Sequence, residues 1–333
     1  MHPAKTATIA IALASAAFAG CLQGTEDPTQ QPTEPPTAPG ADALDLDPLL
    51  DNETDPFGRI HRLNLTEETI EPITPTPSFR PWIVGRDRVV HQYAEDGHAA
   101  GIAFTELGMD NSTSYEGSFS DSKDAKLPSA DPSGEHVYFS YAPVREDPKI
   151  VRRPIEPGGE EDIVAELRYQ DQPVGAWAVS SNGSLLAGPV QSGGADGQPT
   201  KTILIDISGE EEAETVESVA GTHPRFLPDG TIVFAGVEGA LYVLEPASGD
   251  VSTFLRPSDH ETLHQPTVAG DQVWFHARVS PPDDNRTWEE IRHVSLDGED
   301  PQTVAWNEDY RIGPFDVQAT GEALVIDVQT ADR

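Results

Sequence analysis

Six times between residues 58 and 333, a short apolar strand runs into a glycine-bearing turn and out into a second strand of β-branched or aromatic residues. Phe226-Leu227-Pro228-Asp229-Gly230 before Thr231-Ile232-Val233-Phe234 is the clearest case, and Ala130-Asp131-Pro132-Ser133-Gly134 before His136-Val137-Tyr138-Phe139 has the same shape. The turn glycines are Gly85, Gly134, Gly183, Gly230, Gly270 and Gly321, spaced by 49, 49, 47, 40 and 51 residues. A period of that length accommodates four short strands and their loops. Second hairpins follow, most plainly at 241–254, where alternating apolar residues flank a Ser248-Gly249-Asp250 turn.

The sixth unit stops short. Only five residues follow Val328, so its second hairpin is missing, while a spare hairpin with the same alternation stands in front of the first unit at 60–73. The economical solution is ring closure, with the N-terminal strands completing the last sheet and so protecting edges that would otherwise pair with other chains. The expected fold is all-β, a six-bladed β-propeller over residues 58–333. The His223–Phe234 stretch, read with the 241–244 strand, resembles the PD40-type repeats of TolB-like six-bladed propellers. That resemblance implies a fold and a tendency to bind other proteins, and it implies no catalytic residues.

The first 57 residues read differently. Lys5 precedes an apolar run from Thr6 to Phe18, which ends in Ala19-Gly20-Cys21. A short basic start, about 13 apolar residues and small residues before a cut site describe a secretory signal, and the run is too short to span a bilayer. The single cysteine directly after Ala-Gly resembles the lipobox of prokaryotic lipoproteins, with Phe18 where that pattern usually has Leu. The resemblance implies a signal peptide at 1–20, cleavage before Cys21 and lipid attachment to its thiol, which places the protein on the outer face of the cell membrane. Residues 21–57, with Pro32, Pro35, Pro36 and Pro39 among Thr and Gln, read as a disordered stalk unable to bury a core.

Charge narrows the partners. The chain carries 21 Lys+Arg against 57 Asp+Glu, a net charge of −36. Phosphate neutralisation needs clustered cations, so nucleic acid is excluded. Abundant acid with only five lysines suits a surface hydrated for concentrated salt, where self-repulsion is screened, and points to a halophilic archaeal source. Five of the six asparagines begin an N-x-[ST] triplet, namely Asn52, Asn64, Asn111, Asn182 and Asn285, as N-glycan acceptors on an exported chain would. Asn182-Gly183 also matches a tight hairpin turn.

Catalytic signatures are missing: the sequence has no G-x-S-x-G elbow, H-E-x-x-H pair, Walker loop or C-x-x-C. In a propeller, the connection entering each inner strand lies at one mouth of the central channel. His223, His264 and Gln265 fall at such positions with Arg80 and Arg311, and converging imidazoles there could take a divalent metal. His223-Pro224 before a Pro-Asp-Gly turn is similar to propeller lyases acting on oligogalacturonate. Two readings result. One is a non-catalytic, cofactor-free binding or scaffold module for cell-surface protein or envelope glycan; the other is a metal-assisted polysaccharide lyase or hydrolase using His223 and His264. The segment around His260 and His264 reads as a loop. The tryptophans read as core packing, except Trp288, beside Asn285, which reads as an exposed recognition residue.

Overall fold

The computed structural model describes residues 43–330, apart from 52–58, 75–77, 86–87, 96–97, 108–112, 121–124, 144–145, 157–158, 193–199, 210–213 and 283–285. Cys21 and the signal lie outside the described residues, as do Asn52, Asn111 and Asn285.

The strands sort into six separate antiparallel sheets. Blade one runs Ser78–Val84, Arg88–Glu95, His98–Leu107, Thr113–Ser120; blade two Ala125–Ala130, His136–Tyr141, Lys149–Pro154, Asp162–Glu166. Blade three begins with the broken pair Asp171–Pro173 and Ala178–Val179, then Leu185–Ser192, Thr200–Asp206 and Glu214–Ala220. Blade four is Thr222–Phe226, Ile232–Ala235, Leu241–Glu245, Asp250–Leu255; blade five is Glu261–Ala269, Gln272–Val279, Trp288–Ser295, Gln302–Asn307. In blade six, Tyr310–Val317 and Ala323–Thr330 are joined by Ile60–Asn64 and Thr69–Pro72. The closing register sets Ile60 opposite Asp327 and Asn64 opposite Ala323, so the expected ring closure is what the chain does. The first strand of each blade touches the first strands of its neighbours, so these six line the axis.

Each blade's first hairpin turns on its glycine. All six turn glycines have φ between 61° and 91°, a left-handed conformation that a Cβ would strain. Alternating side chains then fill the spaces between blades with Val, Ile, Leu and Phe, including Val233, Phe275, Ile291 and Leu324.

Of the 21–57 segment read as a stalk, the described residues 43–51 are folded onto the propeller, which corrects the C-terminal end of that assignment. Leu44–Asp45 adds a parallel strand to the outer edge of blade five, opposite Ala305 and Trp306. The short helix Asp47–Leu50 then sends Leu46 and Leu50 to 0% exposure in the core shared by blades five and six. The reason is the Leu44, Leu46, Leu49, Leu50 set, which has an apolar face that the Pro/Thr-rich residues before it lack. The segment around His264 is likewise strand, within Glu261–Ala269. Trp288 is no surface recognition residue: it is 2% exposed, and its indole N–H donates to Glu290 Oε1 at 2.6 Å.

Candidate functional site: the central channel

Five of the six inner strands break their pairing at an X-Pro step: Arg80-Pro81, Leu127-Pro128, His223-Pro224, Gln265-Pro266 and Gly313-Pro314. Proline offers no N–H to the ladder and crowds the residue before it, so a bulge forms. Arg80, Leu127, His223 and Gln265 take φ of 59°, 59°, 53° and 48°, a strained conformation for a side chain other than glycine. In blade three Trp177 stands in the proline's place. Its ring lies over Gly188, where a Cβ would come within 2.3 Å of it, and its N–H donates to Ser140 Oγ of blade two at 2.9 Å.

The bulges carry the residues that the sequence placed at the channel mouth. His223 is half-buried, and burial, reinforced by the positive fields of Arg225, His264 and Arg80, pushes its imidazole down to about 3. Its Nδ1 contacts Thr222 Oγ1 at 3.0 Å. His264 is also lowered, by burial and then by His276, whose ring centre is 6.3 Å away. His276 in turn meets Glu289 at 3.2 Å. Burial works to raise the Glu289 carboxyl, but the His276 contact and the Ile312 N–H at 2.8 Å outweigh it and hold it low. Arg80 donates to Gln92 Oε1 at 3.4 Å, and burial lifts the nearby Asp327 carboxyl to about 6. The structure thus brings His223 and His264 together from neighbouring blades, with Gln265 one residue on. The Gln265 side-chain oxygen is buried without a partner. Among the described residues, no three His, Cys, Asp or Glu side chains stand close enough to hold a metal ion.

At the turn side the channel opens into a funnel of about 350 Å³. The residues that shape it follow the bulge prolines: Trp82, Arg225, Thr267 and Asp316. Arg225 lies 3.9 Å from the centre of the Trp82 ring, a cation–π contact, and its Nη1 donates to the Pro224 carbonyl at 3.0 Å. Asp316 Oδ1 accepts from the Thr267 hydroxyl and Oδ2 from the Ile83 N–H, both at 2.8 Å, so one carboxylate ties blade six to blades five and one. Burial pushes the Asp316 carboxyl up and Arg225 down to about 10, each partly offset by the other's charge. None of these four was singled out as a site residue by sequence, although three stand directly after an X-Pro step. Trp82, read as core packing, does pack against the apolar core between blades one and two, and it also lines the funnel.

Of the described sequons, Asn182 is exposed in its turn, its Oδ1 accepting from Ser180 and Ser184, while the Asn64 Oδ1 caps the Thr66 and Glu67 N–H groups.

No family model and no curated protein sequence matches the chain. Solved structures do. A protein assigned as TolB from Agrobacterium tumefaciens aligns with a TM-score of 0.55 at 14% identity, over 83% of this chain and 98% of its own. An oligogalacturonate lyase from Vibrio parahaemolyticus aligns at 0.53 and 13% identity, over 81% and 79%. An oligogalacturonate lyase in complex with manganese aligns at 0.51 and 11%, over 71% and 66%. At these identities the likeness is one of fold: the chain is a six-bladed β-propeller.

Proposed function

We propose that the protein is an exported, lipid-anchored propeller of a halophilic prokaryote. It acts without catalysis as a binding or scaffold module for cell-surface protein or envelope glycan. The observation that carries this reading is the Asp316 junction, where one buried carboxylate joins three blades. A junction of this kind makes the centre rigid, which suits a platform that presents its loops to a partner. Cys21 supplies the anchor in this reading, and buried acyl methylenes at about 0.8 kcal/mol each make two chains a firm hold. Cys21→Ser should move the protein from the membrane fraction to the medium; continued membrane association would refute the anchor.

A second reading, metal-assisted cleavage of an acidic polysaccharide, draws support from the neighbouring His223 and His264 and the unpartnered Gln265 oxygen. These residues offer two neutral imidazoles and an amide oxygen to a divalent ion, an incomplete set for a tightly held metal. Elemental analysis of the purified protein and of His223→Ala separates the two: stoichiometric metal lost in the variant favours cleavage, and metal-free protein favours the binding module.

A further inference from the structure

The floor of the turn-side funnel holds a cation and a carboxylate that do not touch. Arg225 and Asp316 each act on the other's charge, yet no ion pair or hydrogen bond joins them. Both are immobilised independently. The guanidinium is stacked on Trp82 and tied to the Pro224 carbonyl, which leaves Nε and Nη2 without a protein acceptor among the described residues. The carboxylate is held by Thr267, by the Ile83 N–H and by the Val317 N–H, which leaves one of its roughly four acceptor positions open. Several other cations sit on carboxylates: Arg62 on Glu71, Arg152 on Asp162, Lys201 on Asp171, Arg292 on Glu261 and Glu290. A buried carboxylate and a half-buried guanidinium held apart are costly unless something between them completes both.

A cavity of about 350 Å³ adjoins the pair, and beside the two charges its wall carries Trp82, Val268, Ala269 and Val317. That volume is at the small end of ligand pockets. The neighbouring acid on the rim, Asp131, is already taken up by the Glu135 and His136 N–H groups and by the His136 ring. We propose that the funnel binds a small zwitterion, an α-amino acid with an apolar side chain, its carboxylate on Arg225, its ammonium on Asp316 and its side chain against the apolar wall. The proposal stands whether or not the chain is membrane-anchored.

Calorimetric titration of the purified protein with leucine, 3-methylbutylamine and 4-methylpentanoate tests this, because the last two each keep the side chain and one charge of leucine. Leucine should bind at least about tenfold tighter than either. Asp316→Asn should erase its advantage over 4-methylpentanoate, and Arg225→Gln its advantage over the amine. Equal binding of the three, or no heat with leucine at millimolar concentration, overturns the proposal without recourse to variants. Retention of the full leucine preference in folded Asp316→Asn also overturns it.

Discussion

At the scale of single residues, three histidines make this fold acid-sensitive. His61 is 0% exposed with neither ring nitrogen partnered, and burial lowers it to about 4. His91, bonded to Thr105 at 3.0 Å, is lowered to about 4 and His223 to about 3, again by burial first. Each is held neutral in the fold but titrates near 6.5 when unfolded, so the unfolded chain takes up protons first as pH falls. Their contribution is complete above about pH 6.5 and drains away between there and about pH 4. Asp327 works in the opposite sense: its carboxyl is raised to about 6, so protonation between about 6 and 4 relieves a buried charge. With His264 and His293 also lowered and Asp316 and Asp47 also raised, the imidazoles still outnumber the carboxyls, and the melting temperature should fall across this window. His61→Gln, which cannot take up the proton, should flatten the slope. Thermal melts at a series of pH values check both; a wild-type melting temperature flat from pH 6.5 to 4 would count against the burial argument. None of these shifts follows from sequence, because they depend on which side of a strand faces a neighbouring blade.

At the scale of elements, what was legible depended on period. The glycine-turn repeat and the alternation at 60–73 are local patterns, and they located the blades and the seam where the ring closes. The charges at the funnel floor were hidden because Arg225, Thr267 and Asp316 come from three different blades and only the closed ring brings them together. The strap at Leu44–Leu50 was hidden by the Pro/Thr-rich stretch before it, although its leucines were a usable signal. Asp47 holds the strap. Its carboxylate accepts the Glu308 and Asp309 N–H groups at 2.8 and 3.2 Å, and the Tyr310 hydroxyl donates to Asp51 at 2.6 Å. Burial and then the Asp51 bond push that phenol up to about 12. Asp47→Ala leaves two amides without their acceptor, a loss of about 1–3 kcal/mol confined to this segment. Hydrogen exchange at Leu46 and Leu50 should quicken by about tenfold or more, with blades one to four unaffected. Unchanged exchange would mean that Leu46 and Leu50 alone hold the strap.

At the scale of the whole molecule, stability rests on one seam. Apart from the Leu44–Asp45 strand added to the edge of blade five, every blade but the sixth is made of consecutive strands; the sixth borrows Ile60–Asn64 and Thr69–Pro72 from the far end of the chain. Removing residues 1–74 would uncover the edge of Ala323–Thr330, where Val325 and Ile326 are 1% and 0% exposed, and leave two strands where a sheet needs more. The truncated chain should lose its cooperative melt and aggregate. The geometry also says how to rescue it. Ile60 lies opposite Asp327 in antiparallel register, three residues before the end of the Ala323–Thr330 strand, so a short hairpin loop can carry the chain from 330 directly into 59–74. A permuted chain beginning at 78, with 59–74 moved behind 330, builds the sixth blade in the same order as the other five. It needs no closing contact between distant ends. It should regain a single cooperative transition, lowered by the absence of the 43–51 strap. Cooperative melting of the simple truncation at the wild-type temperature would show that the seam carries no weight, and failure of the permutant to fold would show that the N-terminal strands do more than complete one sheet.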